Sequence, residues 1–236
     1  MRYLLTLSML VMLVISASPT HAQDDPCLAY GGMLEPETGE CRISFDLSID
    51  IHYPLEFAEY AFARDTINSY IQQEQETFLS MFDYGPFYSP GPLTLNIDYT
   101  IYERSDDITS ILFTINTYTG GAHPNLYYHT LVFDLANEEV LGFEDIFQEE
   151  PDQLQTIRTL VIEDLNVQMA EVMPEGVWID EETPREVFYD FVLTDEEIIF
   201  FIEPYIAAPY AAGPLSSSIP LDVLKGLLAP PFNEGN

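Results

Sequence analysis

Basic residues are nearly missing from this chain. Seven of 236 residues are Lys or Arg, against 40 Asp or Glu, and Lys225 is the only lysine. Binding to a phosphate backbone requires clustered Lys and Arg, so nucleic acid is excluded as a partner, and an anionic membrane surface is disfavoured for the same reason. A net charge of −33 instead attracts a cationic protein, a cationic glycan or divalent metal ions. The plain alternative is solubility or adaptation to salt, since screening acts over roughly 8 Å at physiological ionic strength.

Long apolar runs are equally scarce. The longest, Leu4 to Ile15, follows Arg2 and precedes Thr20, His21 and Ala22, which is the pattern of a secretory signal peptide over residues 1–22. It is too short to span a bilayer comfortably, and the later runs Ile198 to Ile202 and Ile206 to Ala212 are short and bounded by proline. The expectation is an exported protein, secreted or periplasmic, with no stable membrane insertion after signal cleavage. No cysteine stands at the cleavage junction, so no lipid anchor is expected there. Only Cys27 and Cys41 are present. In an exported chain they are expected to pair within a disulfide-closed N-terminal segment at 23–42, and a loop of about 15 residues closed this way contributes roughly 3 kcal/mol in the chain-entropy model. No histidine lies between them and their spacing is far from Cys-X-X-Cys, which argues against a metal or redox role.

Motifs that carry chemistry are also missing. There is no Gly-X-Ser-X-Gly elbow, no His-Glu-X-X-His, and no aspartate loop with calcium spacing. The acidic pairs Asp106–Asp107, Glu138–Glu139, Glu149–Glu150 and Glu181–Glu182, and the run Asp195 to Glu197, sit at expected turns and read as solvated turn residues. His123 and His129 are six apart, but strand alternation leaves a shared zinc face unsupported. No cofactor and no metal are expected.

What is present is pattern. Ile43 to Tyr53 alternates strictly and is expected to be a strand with one buried face in an antiparallel sheet. From Leu55 to Met81 apolar residues recur at three and four, the spacing of an amphipathic helix. Leu93 to Tyr102, Ile108 to Tyr118 and Leu126 to Leu135 read as strands. Asp134 to Asn137 forms a turn into a short strand or 3₁₀ segment ending at Phe147. Leu154 to Val172 reads as a second helix, and Gly176 to Thr183 as an acidic loop carrying Trp178. A hairpin is expected between 188–193 and 198–202, with a last strand at 217–221 and a short helix at 221–228. Between the second and third of these strand runs lies Tyr118 to Asn125, where Gly120 and Gly121 permit φ > 0 and Pro124 fixes the exit. This corner presents the His123 imidazole at a defined place, either as a site or as a turn residue bonded to a neighbouring carbonyl.

The order of these motifs resembles one family. TGGAHPN (Thr119 to Asn125), TLVFD (Thr130 to Asp134), FEDIF (Phe143 to Phe147), FVLT (Phe191 to Thr194) and PYIAAPYAAG (Pro204 to Gly213) are similar to the extracytoplasmic bacterial domain shared by the anti-sigma factor RsiV, parts of some peptidoglycan deacetylases and a mycobacterial secreted immunogenic protein. The resemblance runs from about Ile43 to Leu228. It implies an α+β fold, RsiV-like, with two main amphipathic helices packed on antiparallel sheets, and an extracytoplasmic location. The expected parts are 43–118, a strand, helix and hairpin half; 119–229, an RsiV-like half; and 230–236, a tail.

In the RsiV branch the domain binds lysozyme, and in the deacetylase branch chemistry resides in a separate domain. This chain differs from both in having a cleavable signal, and nothing in it looks like an appended catalytic domain. The resulting expectation is a non-catalytic cell-envelope protein that engages a cationic, lysozyme-like protein or a cell-wall component. Its binding residues would be Gly120, Gly121, His123, Asn125, Tyr205 and Tyr210. The rival expectation is a peptidoglycan hydrolase or deacetylase-associated module using His123 and a carboxylate.

Overall fold

A computed structural model describes residues 33–34, 41–42, 47–81, 92–148 and 152–233. The expected signal peptide at 1–22 and the expected Cys27–Cys41 pairing fall outside the described residues, which include neither Cys27 nor the side chain of Cys41. The chain divides into two compact units, Met1–Ser44 and Phe45–Asn236. In the first, β1 (Met33–Leu34) pairs antiparallel with β2 (Cys41–Arg42).

The second unit holds a five-stranded sheet in the order β3 (Leu47–Ile51), β4 (Leu93–Glu103), β5 (Ile108–Tyr118), β6 (Asn125–Asp134) and β7 (Glu139–Leu141). The long hairpin pairs follow from alternation. Ile111, Phe113 and Ile115 of β5 face one way with Leu95, Ile97, Leu131 and Phe133, and join a core with Ala63, Ile67, Ile71 and Phe78 of α1 (Ala61–Ser80). On the opposite face, Leu112 packs with Val192 and Phe201.

Those last two residues come from a second sheet, β8 (Phe191–Leu193), β9 (Glu197–Ile202) and β10 (Leu215–Pro220), in the order β10, β9, β8. Its other face carries Ile198, Phe200 and Ile202 against Ile157, Val161 and Leu165 of α3 (Gln153–Met169). The layers therefore run α1, large sheet, small sheet, α3. Short helices α2 (Phe143–Ile146) and α4 (Leu221–Leu224) complete this core. Strands β8 and β9 are buried or half-buried on both faces, which explains why 191–193 and 198–202 read as continuous apolar runs without alternation.

Several expectations are corrected. The large sheet is mixed, because β3 pairs parallel with β4, Leu47 opposite Leu93 through Ile51 opposite Ile97. The connection between them contains α1, and a helical crossover returns the chain in the same direction. Nor does β3 bury one face: Leu47 and Ile49 are 47% and 36% exposed. It is the edge strand, and only Ile51 and the following Tyr53 reach the α1 core. The expected helix from Leu55 is a 3₁₀ turn at Leu55–Phe57, and then, past the extended Tyr60, an α-helix starting at Ala61. The boundary at 118/119 falls where β5 gives way to the turn into β6, and the ten-pair β5–β6 ladder, Ile108 opposite Asp134 through Thr117 opposite Asn125, places both expected halves in one sheet. Within the expected tail at 230–236, Phe232 is buried in the α3 core with the Arg104 guanidinium 5.5 Å from its ring.

Candidate functional site

Two places gather polar chemistry, and the first is the glycine corner between β5 and β6. Gly120 and Gly121 adopt φ of 98° and 121°, conformations that a side chain would oppose, and the Tyr118 hydroxyl donates to Gly121 O at 3.0 Å. The His123 ring is thereby held over the loop that follows β9. Its Nδ1 lies 2.8 Å from Pro124 O and its Nε2 3.1 Å from the Tyr205 hydroxyl. A carbonyl only accepts, so Nδ1 carries the proton, and in the neutral ring Nε2 accepts from Tyr205.

Tyr210 stacks on the imidazole, centroids 3.7 Å apart at 18°, and its hydroxyl also donates to Pro124 O at 2.7 Å. Tyr205 and Tyr210 are 5.5 Å apart. Tyr205 has φ of 73° and is 57% exposed, so its neighbours hold an aromatic side chain in a backbone conformation that disfavours it.

His123, Tyr205 and Tyr210 are thus brought together from loops more than eighty residues apart in sequence. Gly120 and Gly121 shape their corner. Asn125 is exposed at the start of β6, opposite Thr117, and makes no hydrogen bond to the cluster. The expected pairing of His123 with a carboxylate does not occur among the described residues, because both ring nitrogens face other partners. His129 does not join it either: it stacks on Tyr70, 4.0 Å away at 20°. No group of three His, Cys, Asp or Glu able to hold a metal occurs among the described residues. Trp178, given no role by the sequence reading, is 50% exposed, and its amide donates to Ala207 O at 2.9 Å, within the Tyr205–Tyr210 loop.

The second place lies along β6. Strand β7 covers only Val132 to Asp134, and among the described residues the edge from Asn125 to Leu131 has no strand neighbour on that side. One carboxylate reaches an amide there, Asp190 Oδ1 accepting from Thr130 N at 3.0 Å, while burial raises the nearby Glu203 and the Tyr128 backbone lowers it. Beside Asp190 opens a cleft of about 580 Å³, lined by His129, Thr130, Leu141, Phe143, Tyr189 and Phe191 among others.

Burial pushes the Asp190 carboxyl up from 3.8 to about 7, against the lowering effect of the Thr130 hydrogen bonds, with Glu203 raising it further. Burial likewise raises Glu203 and lowers His129 to about 4. Perturbed titrating groups lining a cleft mark a candidate site. The sequence reading missed Asp190, although a lone acid within the apolar run from Phe188 to Leu193 was the available signal.

A family profile described as "Deacetylase PdaC" matches residues 46–126, and one described as "Protein of unknown function (DUF3298)" matches residues 144–222. The peptidoglycan-N-acetylmuramic acid deacetylase PdaC of Bacillus subtilis is 26% identical over 136 residues, which are 57% of this chain but only 29% of that protein. Two Mycobacterium tuberculosis proteins align along nearly the whole chain. Immunogenic protein MPT64 is 23% identical over 93% of this chain and 95% of its own, and an esterase is 22% identical over 96% and 99%. The anti-sigma-V factor RsiV of Bacillus subtilis is 24% identical over 67% of this chain and 57% of its own.

A crystal structure of a DUF3298 family member from Bacteroides fragilis superposes with a TM-score of 0.51 at 22% identity, covering 77% of this chain and 70% of that one. The α+β fold is therefore shared with that family. The chain carries a PdaC-like segment containing the glycine corner and a DUF3298-like segment containing Asp190, Tyr205 and Tyr210.

Proposed function

We propose that this chain is an exported, non-catalytic binding protein of the bacterial cell envelope. It engages a cationic protein of the lysozyme class through the cluster of His123, Tyr205 and Tyr210. The observation that carries this reading is the convergence of those three rings, with Tyr205 exposed in a strained backbone conformation. Rigid, half-exposed tyrosines are the side chains that dominate interface energetics. Trp178, exposed beside the same loop, adds a further anchor. The net charge of −33 supplies long-range attraction for a basic partner and would show in the association rate.

Calorimetric titration of the purified chain with lysozyme, at low and at moderate salt, tests this directly. Binding is expected at both, weaker at the higher salt, with Tyr205→Ala or Tyr210→Ala each costing about 2 kcal/mol, or roughly 30-fold. No heat and no shift in elution at either salt removes lysozyme as the partner. Turnover of peptidoglycan or of an ester, abolished by one substitution at His123, would replace the binding reading with the hydrolytic one.

A further inference from the structure

The cleft beside the uncovered edge of β6 has no part in the aromatic corner, and its chemistry is different. Its walls are apolar, with Val132, Leu141, Phe143 and Phe191 among the lining residues, and one largely buried carboxylate, Asp190, lies among them. Thr130 N occupies Oδ1 of that carboxylate. Among the described residues no Lys, Arg or His forms an ion pair with Asp190. A largely desolvated carboxylate without a counter-charge, in a cavity of ligand size, is a receptor for a positive group.

The rim shows the same preference. The Arg185 guanidinium pairs with Glu144 and lies 5.8 Å from the Phe143 ring and 5.6 Å from the Tyr189 ring, so a cation already rests on these aromatic faces.

We propose that this cleft binds a small organic amine, its ammonium against Asp190 and its apolar body against Phe143 and Phe191. The assignment stands independently of the lysozyme reading. The groups around Asp190 are His129 from β6, Tyr70 from α1, Glu203 after β9, Glu144 and Asp145 from α2, and Tyr189 and Arg185 on its own side. Burial keeps His129 neutral near pH 7, and Asp145 is turned onto the Gly142 amide at 2.8 Å. Asp190 is therefore the group whose charge the ligand would fix, and binding would expel its proton.

Calorimetry of the full chain with benzylamine, and with benzyl alcohol as the neutral counterpart, tests the proposal. Benzylamine is expected to bind at least about 10-fold more tightly than the alcohol. Its affinity should fall roughly tenfold per pH unit below about 7 and level off above, with proton release visible as a buffer-dependent heat near pH 6. Asp190→Asn, which keeps an oxygen for Thr130 N, should lose about 10- to 100-fold in affinity together with the pH dependence. The proton-release measurement uses the unaltered chain and does not depend on how the variant folds. Equal binding of the alcohol, benzylamine binding without proton release, or binding of neither compound overturns the proposal. So does a lysine-bearing peptide that binds where benzylamine does not, since the cleft would then dock a protein side chain.

Discussion

Asp190 and His129 line the same cleft, and burial shifts them in opposite senses, which gives the fold an unusual pH profile. Asp190 titrates near 7 when folded and near 3.8 when unfolded. Its contribution is fully present below about pH 4 and is lost as the pH rises through 7, because unfolding there releases a proton. His129 titrates near 4 when folded against 6.5 when unfolded. Its contribution is fully present above 6.5 and is lost as the pH falls towards 4. Between about pH 4 and 6.5 the two slopes oppose each other. Asp190→Asn removes one of them, so urea denaturation should find the variant gaining stability relative to the parent as the pH rises from 4 to 7, by at most about 1.4 kcal/mol per unit. A difference between the two proteins that does not vary with pH would show that Asp190 is not held protonated by burial.

The small sheet is held on the large one by the Leu112, Val192 and Phe201 packing and, in addition, by side-chain hydroxyls. Strand β8 has three residues, and on the side facing the large sheet its amides find side-chain oxygens: Phe191 N donates to Thr130 Oγ1 at 3.1 Å and Leu193 N to Ser110 Oγ at 3.0 Å. Ser110 and Leu193 are both fully buried. Ser110→Ala therefore leaves the Leu193 amide without a partner, at a cost of about 1–3 kcal/mol. The expected signature is a lower urea midpoint with an unchanged slope; an unchanged midpoint would mean that water replaces the hydroxyl.

Much at this scale was legible in the sequence. Alternation gave β4, β5 and β6, the spacing at three and four gave α1 and α3, and the glycine corner placed His123 between them. The parallel partner of β3 was legible in principle from the order strand, helix, strand, but alternation alone reports which residues share a face, not the direction of the neighbouring strand. Ser110 and Thr130 were not legible as fastenings. A hydroxyl in a strand looks the same whether it meets solvent or the amide of another sheet. The corner's tyrosines were singled out through the family resemblance, whereas the Asp190 cleft depends on where β7 stops, which local pattern does not encode.

For the whole molecule, the dominant quantity is the excess of negative charge, and it acts with opposite signs on folding and on binding. Compaction works against a net charge of −33, while the described residues offer few ion pairs in return: Arg64 with Asp65 and Arg185 with Glu144, both with substantially exposed side chains, and His52 beside Asp98, a pair only when the ring is protonated. Exposed pairs contribute little, so repulsion dominates the long-range electrostatics of the fold. Added sodium chloride shortens the screening length from roughly 30 Å at 0.01 M to 10 Å at 0.1 M and should raise the urea midpoint. Urea is the appropriate denaturant because it carries no charge of its own to screen with. The same salt should weaken capture of a basic protein by slowing association rather than by speeding release. A midpoint that falls with salt would mean that attractive pairs outweigh the repulsion. The acidic surface would then be a network that stabilises the fold, with no surplus field left to draw in a cationic partner.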